Sequence, residues 1–279
     1  MLATEPFYRL CQVCQQSLRR RNKRAKCGLV RTTVINENEL MRYLDLTLPE
    51  LAENLALDEA LLEEAESTSH PMETLRFWEA RQYAVIVGRS SRMAAEVRSE
   101  VCRELKVPVM RRISGGAAVV VGPGCLMYAV VLSLRLRPQL RSIDRAHAHV
   151  LGTIAAALLP SVPDLTHRGI CDLSIGEQKV SGNSVRCKRE HLLYHGTLLY
   201  DFPLEMIGRY LAMPPRQPDY RQARPHRDFV ANLPLDADML RSALQTAWAA
   251  SEPCSDWPQA AIRRLIAEKY SRPEWNEQL

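Results

Sequence analysis

Two short segments hold the residue types best suited to chemistry. The first is Arg111-Arg112-Ile113-Ser114-Gly115-Gly116, a cationic, glycine-rich turn. Two glycines let a backbone approach a ligand closely, and successive amide N–H groups can cup an anion. An arginine can grip a carboxylate or phosphate through two parallel hydrogen bonds, and Ser114 adds a hydroxyl donor. The second is Gly176-Glu177-Gln178-Lys179-Val180-Ser181-Gly182-Asn183, followed by His195-Gly196-Thr197-Leu198-Leu199. It sets Lys179 just past the tip of an expected hairpin, and Gly182, bare of a side chain, leaves room for a ligand. A fixed ammonium suits the charge that develops when a carboxylate attacks a phosphate, and later when an acyl carbonyl is attacked. Each segment also has a plain reading: a tight turn with solvated arginines, and a surface lysine.

Cys171 precedes Asp172 at the start of the same hairpin. Most single cysteines are small hydrophobes, but a thiol near a lysine can have its pKa lowered and accept an acyl group. His195 sits among apolar neighbours and reads as a structural hydrogen-bonding group behind the site. His147 and His149 are two apart on an expected helix and so point in different directions. Cys11, Cys14 and Cys27 hint at zinc, but residues 1–40 hold no fourth Cys or His to complete four ligands.

The chain has 279 residues, 46% hydrophobic and 25% charged, which is ordinary for a globular protein. It is long enough for one large domain, and no apolar run approaches the roughly 20 residues of a membrane span. The net charge of +5 belongs to residues 1–40, with eight Lys and Arg against three Asp and Glu. The rest carries 29 of each sign. The basic balance therefore says nothing about nucleic-acid binding by the core. We expect residues 1–40 to be a disordered basic extension and 41–279 to be one catalytic domain without a separate accessory domain. The eight scattered cysteines fit a reducing compartment rather than a secreted disulfide framework.

The elements that must position these residues follow from periodicity. Residues 50–66 read as an amphipathic helix with Leu51, Leu55, Leu62 and Ala65 on one stripe and acids opposite. Strands are expected at 73–79 and 83–88, the second buried and central, then a helix at 94–105. Strands 117–121 and 126–134 are separated by the turn Gly122-Pro123-Gly124. A helix spans 143–159, the lysine hairpin 172–181, and a strand 192–200. Helices follow at 203–211, 236–249 and 258–270, with a loop at 214–227. This order predicts an α+β fold on a mixed, largely antiparallel sheet flanked by helices.

In this order and spacing the motifs resemble the lipoate–protein ligase and octanoyltransferase family, related to biotin–protein ligases. Asn54-Leu55-Ala56-Leu57-Asp58-Glu59 resembles its opening helix, and Phe77-Trp78-Glu79 with Val87-Gly88-Arg89 its first strand pair. Arg111–Gly116 resembles its ligand loop, and Asp172-Leu173, Lys179–Gly182 and His195–Leu199 its lysine hairpin and following strand. The resemblance implies the catalytic fold shared with class II aminoacyl-tRNA synthetases and biotin synthetase. It also implies two steps: lipoate and ATP with Mg²⁺ give lipoyl-AMP, and the acyl group passes to a carrier lysine. By the same resemblance Arg112 and Ser114 hold the acyl carboxylate end, with Gly115, Gly116 and Ala117 at the acyl phosphate. Lys179 bridges carbonyl and phosphate oxygens, and Asp172 lies on the nucleotide or metal side. Gly182, Asn183 and His195 complete the acyl-adenylate surface, and Trp78 and Glu59 line the acyl tunnel and its entrance.

The sequence departs from the family pattern at Ala117, where a third glycine is usual. It departs again at Val120-Val121-Gly122, where ligases often carry a histidine and aspartate, and at Cys171, where Asn is usual. Implied partners are lipoyl carrier domains, the glycine cleavage H protein or a 2-oxoacid dehydrogenase E2, with acyl carrier protein as donor in the transferase variant. Neither nucleic acid nor membrane is implied, and a cytoplasmic monomer is expected. Octanoyl transfer through Cys171 is the alternative activity, and a non-catalytic acyl- or nucleotide-binding relative the alternative of another class.

Overall fold

The computed structural model of the protein describes residues 41–278. Readings placed on residues 1–40, including Cys11, Cys14 and Cys27, lie outside the described residues. Strands β1 (Arg42–Asp45) and β2 (Thr74–Glu79) bracket helix α1 (Leu51–Ser67). Strand β3 (Ala84–Val87) is followed by two short helices, α2 (Met93–Glu96) and α3 (Ser99–Glu104), then β4 (Val109–Arg111), β5 (Val119–Val121) and β6 (Cys125–Ser133). Helix α4 (Ile143–Leu158) leads into β7 (Leu165–Arg168), β8 (Asp172–Ile175), β9 (Gln178–Cys187) and β10 (His191–Leu199). The chain continues through α5 (Glu205–Tyr210), α6 (His226–Phe229), α7 (Ala237–Ala247), β11 (Glu252–Pro253), α8 (Gln259–Leu265) and α9 (Pro273–Asn276).

The strands form an eight-stranded sheet in the order β11-β1-β2-β6-β10-β9-β8-β7 and a three-stranded sheet in the order β4-β3-β5. Strand β1 runs parallel to β11 and β2, and the remaining pairs of the large sheet are antiparallel. The α+β fold on a mixed, largely antiparallel sheet is therefore as expected. Burial on both faces explains the nearly unbroken apolar run of β6. Its Cys125, Met127, Ala129 and Val131 enter the core shared with α1 and the small sheet, and Leu126, Tyr128, Val130 and Leu132 the core under α4 and α7. Period 2 does the sorting. On β10, Leu193, His195, Thr197 and Leu199 share one parity, so His195 is on the α1 side.

Several elements differ from expectation. Helix α1 is not amphipathic over its middle: every residue from Asn54 to Leu62 is buried, the acids Asp58 and Glu59 included. It lies between the sheet and α8, so its polar side chains face protein partners rather than water. The helix expected at 94–105 is two pieces, because Val97 bridges Leu211 and the Arg98 N–H donates to the Tyr210 carbonyl at 2.8 Å. Strands β5 and β6 do not pair. The Gly122-Pro123-Gly124 turn moves the chain from one sheet to the other, and Gly124 takes φ 87° where a Cβ would strike the Asp201 carbonyl at 2.2 Å. The helix expected at 258–270 ends as a π turn over Ile266–Tyr270, with Ser271 N–H donating to the Ile266 carbonyl at 3.0 Å. The expected loop 214–227 contains a 3-10 turn, Asp219–Arg221, and the first residues of α6.

Candidate functional site

The ligand loop leaves β4 at Arg111 and is closed on itself by the next residue. Arg112 is 8% exposed. Its Nε donates to Ser114 Oγ at 3.1 Å, one Nη to the Ile86 carbonyl at 3.2 Å, and the other to the carbonyls of Gly115 and Ala117, the latter at 3.0 Å. A guanidinium has five N–H donors, so four are engaged within the protein and one remains for a ligand. Burial lowers its pKa to about 10, partly offset by Cys171 and Glu96. The loop is held from outside as well. Ser91 Oγ donates to the Gly116 carbonyl and Ser184 Oγ to the Gly115 carbonyl, each at 2.9 Å. Gly116 adopts φ 86°, and a Cβ on Gly88 would stand 1.9 Å from the Gly116 oxygen. That close approach is what glycine permits at position 88.

Behind the loop runs a buried polar chain. Ser114 Oγ lies 2.5 Å from His195 Nε2, and His195 Nδ1 lies 3.2 Å from Asp58 Oδ2. Asp58 also pairs with the fully buried Arg76, whose other donors reach the Asn54 carbonyl at 2.9 Å and Asn54 Oδ1 at 2.8 Å. Burial pushes the Asp58 carboxyl up, but Arg76 and His195 together outweigh it and hold it below its ordinary value. A carboxylate only accepts, so Nδ1 of His195 carries a proton. The other ring nitrogen, Nε2, faces Ser114 Oγ. With Arg112 Nε donating to the same oxygen, Ser114 Oγ is held between two protein partners. Ser114, expected to offer its hydroxyl to a ligand, is 1% exposed and contacts Arg112 and His195.

The lysine hairpin is built differently. A register shift at Leu173/Ser174 pairs Asp172 with Gly182 and Ser174 with Lys179, so the strand bulges beside the lysine. The Lys179 ammonium lies 2.7 Å from Asp172 Oδ1, and the Tyr220 hydroxyl donates to Asp172 Oδ2 at 2.8 Å. A Cβ on Gly182 would stand 3.0 Å from Lys179 Nζ. The space left by Gly182 is thus filled by Lys179 itself rather than open to a ligand. Asn183 bridges the hairpin, its Nδ2 donating to the Cys171 carbonyl at 2.8 Å and its Oδ1 accepting from the Tyr128 hydroxyl at 2.6 Å. The same Oδ1 occupies the place of a Cβ at Gly196, 1.9 Å away. The Cys171 thiol is pushed up by burial and Asp172, which outweigh Lys179, Asn183 and Arg112. Of the two sequence readings, that balance sides with the small buried group rather than with a thiol lowered by a nearby lysine.

Both segments line one cavity of about 1350 Å³. Its wall includes Arg112, Gly116, Ala117, Cys171, Asp172, Lys179, Gly182, Asn183 and His195, with Asp58, Glu96 and Tyr220, which the sequence reading had not assigned to a site. Ser114 and Gly115 stand behind this wall. Trp78 and Glu59, expected at the acyl tunnel and its entrance, do not line this cavity. Trp78 is fully buried, with the Arg76 guanidinium 5.5 Å from its ring centre. Glu59 is taken by Lys269 Nζ at 2.8 Å and the Tyr270 hydroxyl at 2.8 Å. A usable signal for Asp58 and Arg76 was present: opposite charges inside two apolar runs, Leu55–Leu62 and Leu75–Trp78. Buried charges are rarely left without each other. Among the described residues no group of three or more His, Cys, Asp and Glu forms a metal site. No helix among them is long and apolar enough to cross a membrane.

Comparison with known proteins places the chain in a family. A protein of Aeropyrum pernix named in the lipoate-protein ligase A group is 36% identical over 146 residues, covering 52% of this chain and 52% of its own length. The octanoyltransferase LipM of Oceanobacillus iheyensis is 28% identical over 195 residues, covering 64% of this chain and 71% of its own. A solved bipartite lipoate protein ligase from Thermoplasma acidophilum superposes with a TM-score of 0.72 at 25% identity, covering 85% of this chain and 96% of that one. The chain spans about half the length of the first curated relatives it matches, 52% and 45%. The pattern of the lipoyl protein ligase A/B catalytic domain matches residues 50–247, and the chain belongs to that family.

Proposed function

We propose that the protein is a lipoate–protein ligase that activates lipoate with ATP and transfers the lipoyl group to a lysine of a carrier domain. The observation that carries this reading is the Lys179 ammonium, 2.7 Å from Asp172 over the bare Gly182 backbone, in the cavity that Arg112 also lines. In the first step a carboxylate oxygen attacks the α-phosphorus and pyrophosphate leaves. In the second, the carrier amine attacks the acyl carbon, the acyl–oxygen bond breaks, AMP departs with the electron pair, and the amine loses a proton. Negative charge grows on oxygen in both steps, and a preorganised cation inside a cavity lowers both barriers. Arg112 directs its remaining N–H at the acyl end, and the Gly115–Ala117 backbone borders the acyl phosphate. Asp172 is the carboxylate beside Lys179, which suits Mg²⁺ arriving on the phosphates with one protein ligand.

Relatives support the chemistry. A lipoate-protein ligase A solved with ATP shares the fold at a TM-score of 0.72, and the Thermoplasma ligase belongs to a system that includes an E2 lipoyl domain. The carrier is then an E2 lipoyl domain or a glycine cleavage H protein, met by a single chain in the reducing cytoplasm. The raised Cys171 thiol favours ligation over transfer from octanoyl-acyl carrier protein. The test is purified protein with apo carrier domain in two mixtures, lipoate with ATP and Mg²⁺, or octanoyl-acyl carrier protein without ATP. Intact-mass gain of one lipoyl group in the first mixture is expected. Gain only in the second would replace this reading with the transferase, and gain in neither, with ligand binding retained, would make the protein a non-catalytic relative.

A further inference from the structure

Arg111, the neighbour of the ligand-facing arginine, points the other way. It is fully buried, and every hydrogen bond its guanidinium makes is to a backbone carbonyl. On one side it holds the 88–91 turn, at Gly88 (2.6 Å), Arg89 (3.3 Å) and Ser91 (2.9 Å). On the other it holds the end of the chain, at Trp275 (3.0 Å), Asn276 (3.2 Å) and Gln278 (2.5 Å). The grip is reciprocal: Arg111 N–H donates to Asn276 Oδ1 at 3.0 Å, and Trp275 Nε1 donates to the Arg111 carbonyl at 2.9 Å. The 88–91 turn in turn shapes the ligand loop. Arg89 N–H donates to the Ser114 carbonyl at 2.8 Å, Ser91 Oγ donates to the Gly116 carbonyl, and Gly88 packs under Gly116.

We propose that the segment 273–278 is a working part of the acyl site, with Arg111 as the positioning residue that transmits its placement to the ligand loop. A buried guanidinium without a contacting carboxylate is held only by those carbonyls, and each carbonyl withdrawn leaves a donor without a partner. Displacing the segment therefore releases three acceptors at once and frees the 88–91 turn that fixes Ser114 and Gly116. A partner that pulls on this segment would loosen the acyl site without touching it. Lys269 and Tyr270 anchor the preceding turn on Glu59, so movement begins beyond Tyr270.

The test uses the full chain carrying Asn276→Ala, which removes the side-chain acceptor of the Arg111 amide, and separately Arg111→Lys, which keeps the charge and loses the fork. Amide exchange in the unliganded protein is expected to quicken about fivefold to tenfold in peptides covering 88–91 and 111–117, with α4 and β10 unchanged. Unchanged exchange in those peptides, or equal acceleration throughout the chain, would overturn the proposal. A kinetic arm rests on the ligase reading: KM for the acyl acid rises about fivefold to tenfold, with kcat within about twofold. Local exchange without any ligase activity would keep the proposal and remove the ligase reading. Ligase activity with unchanged exchange would do the reverse.

Discussion

The ligand loop and the lysine hairpin bring cations to one cavity and hold them in different ways. Arg112 is engaged at three donors by its own loop and at a fourth by the Ile86 carbonyl of β3, so the surrounding backbone fixes its position. Lys179 is held by one carboxylate at the end of a flexible side chain that is 29% exposed. The first arrangement fixes a surface against which a ligand is measured. The second keeps an ammonium that can leave Asp172 for a phosphate or carbonyl oxygen. On the proposed ligase reading, which has two successive steps, the site would use both: one fixed reference and one charge that follows the reacting atoms.

This contrast can be broken at the lysine first. Lys179→Ala is expected to lower the rate of carrier lipoylation by about 10²–10³-fold. Asp172 is only 8% exposed, so losing its cation is also expected to lower the melting midpoint, which a thermal melt of the same variant measures apart from the rate. Full activity in that variant would remove Lys179 from the site.

The two glycines sharpen the contrast. Gly88→Ala drives a Cβ into the Gly116 carbonyl, a backbone group that cannot step aside, and is expected to cost about 1–3 kcal/mol in denaturant unfolding and to weaken acyl-acid binding. Gly182→Ala meets only the end of the Lys179 side chain. It should lower the rate by less than about tenfold and leave stability within about 0.5 kcal/mol. Equal stability losses in the two would erase the distinction between a fixed loop and a mobile ammonium.

The smallest effect is expected at Cys171. A thiol whose pKa is raised holds less thiolate at a given pH, so alkylation by iodoacetamide at pH 8 should run more slowly than for an ordinary exposed cysteine. Cys171→Ala should leave ATP-dependent ligation within about twofold. Rapid alkylation, or activity abolished by Cys171→Ala, would shift the balance to thioester chemistry.

Much of this was legible in the residues and their order. The apolar runs set β3, β6 and β10, the glycine signals set the turns, and the spacing of the arginine–glycine loop and Lys179 pointed to two segments of one site. These are local properties: strand periodicity, φ preferences and residue chemistry act within a few residues. The tertiary structure decided the partners. It gave Arg112 to its own loop, placed Arg111 between the 88–91 turn and the chain end, filled the space over Gly182 with Lys179, and sent Glu59 to Lys269. It also turned Asp58 inward to Arg76 and His195. The long-range choices among these depend on which groups are buried together across separations from 18 residues, for Asp58 and Arg76, to 210, for Glu59 and Lys269. Desolvation favours a partner for a buried polar group, and only the packed fold determines which one is within reach.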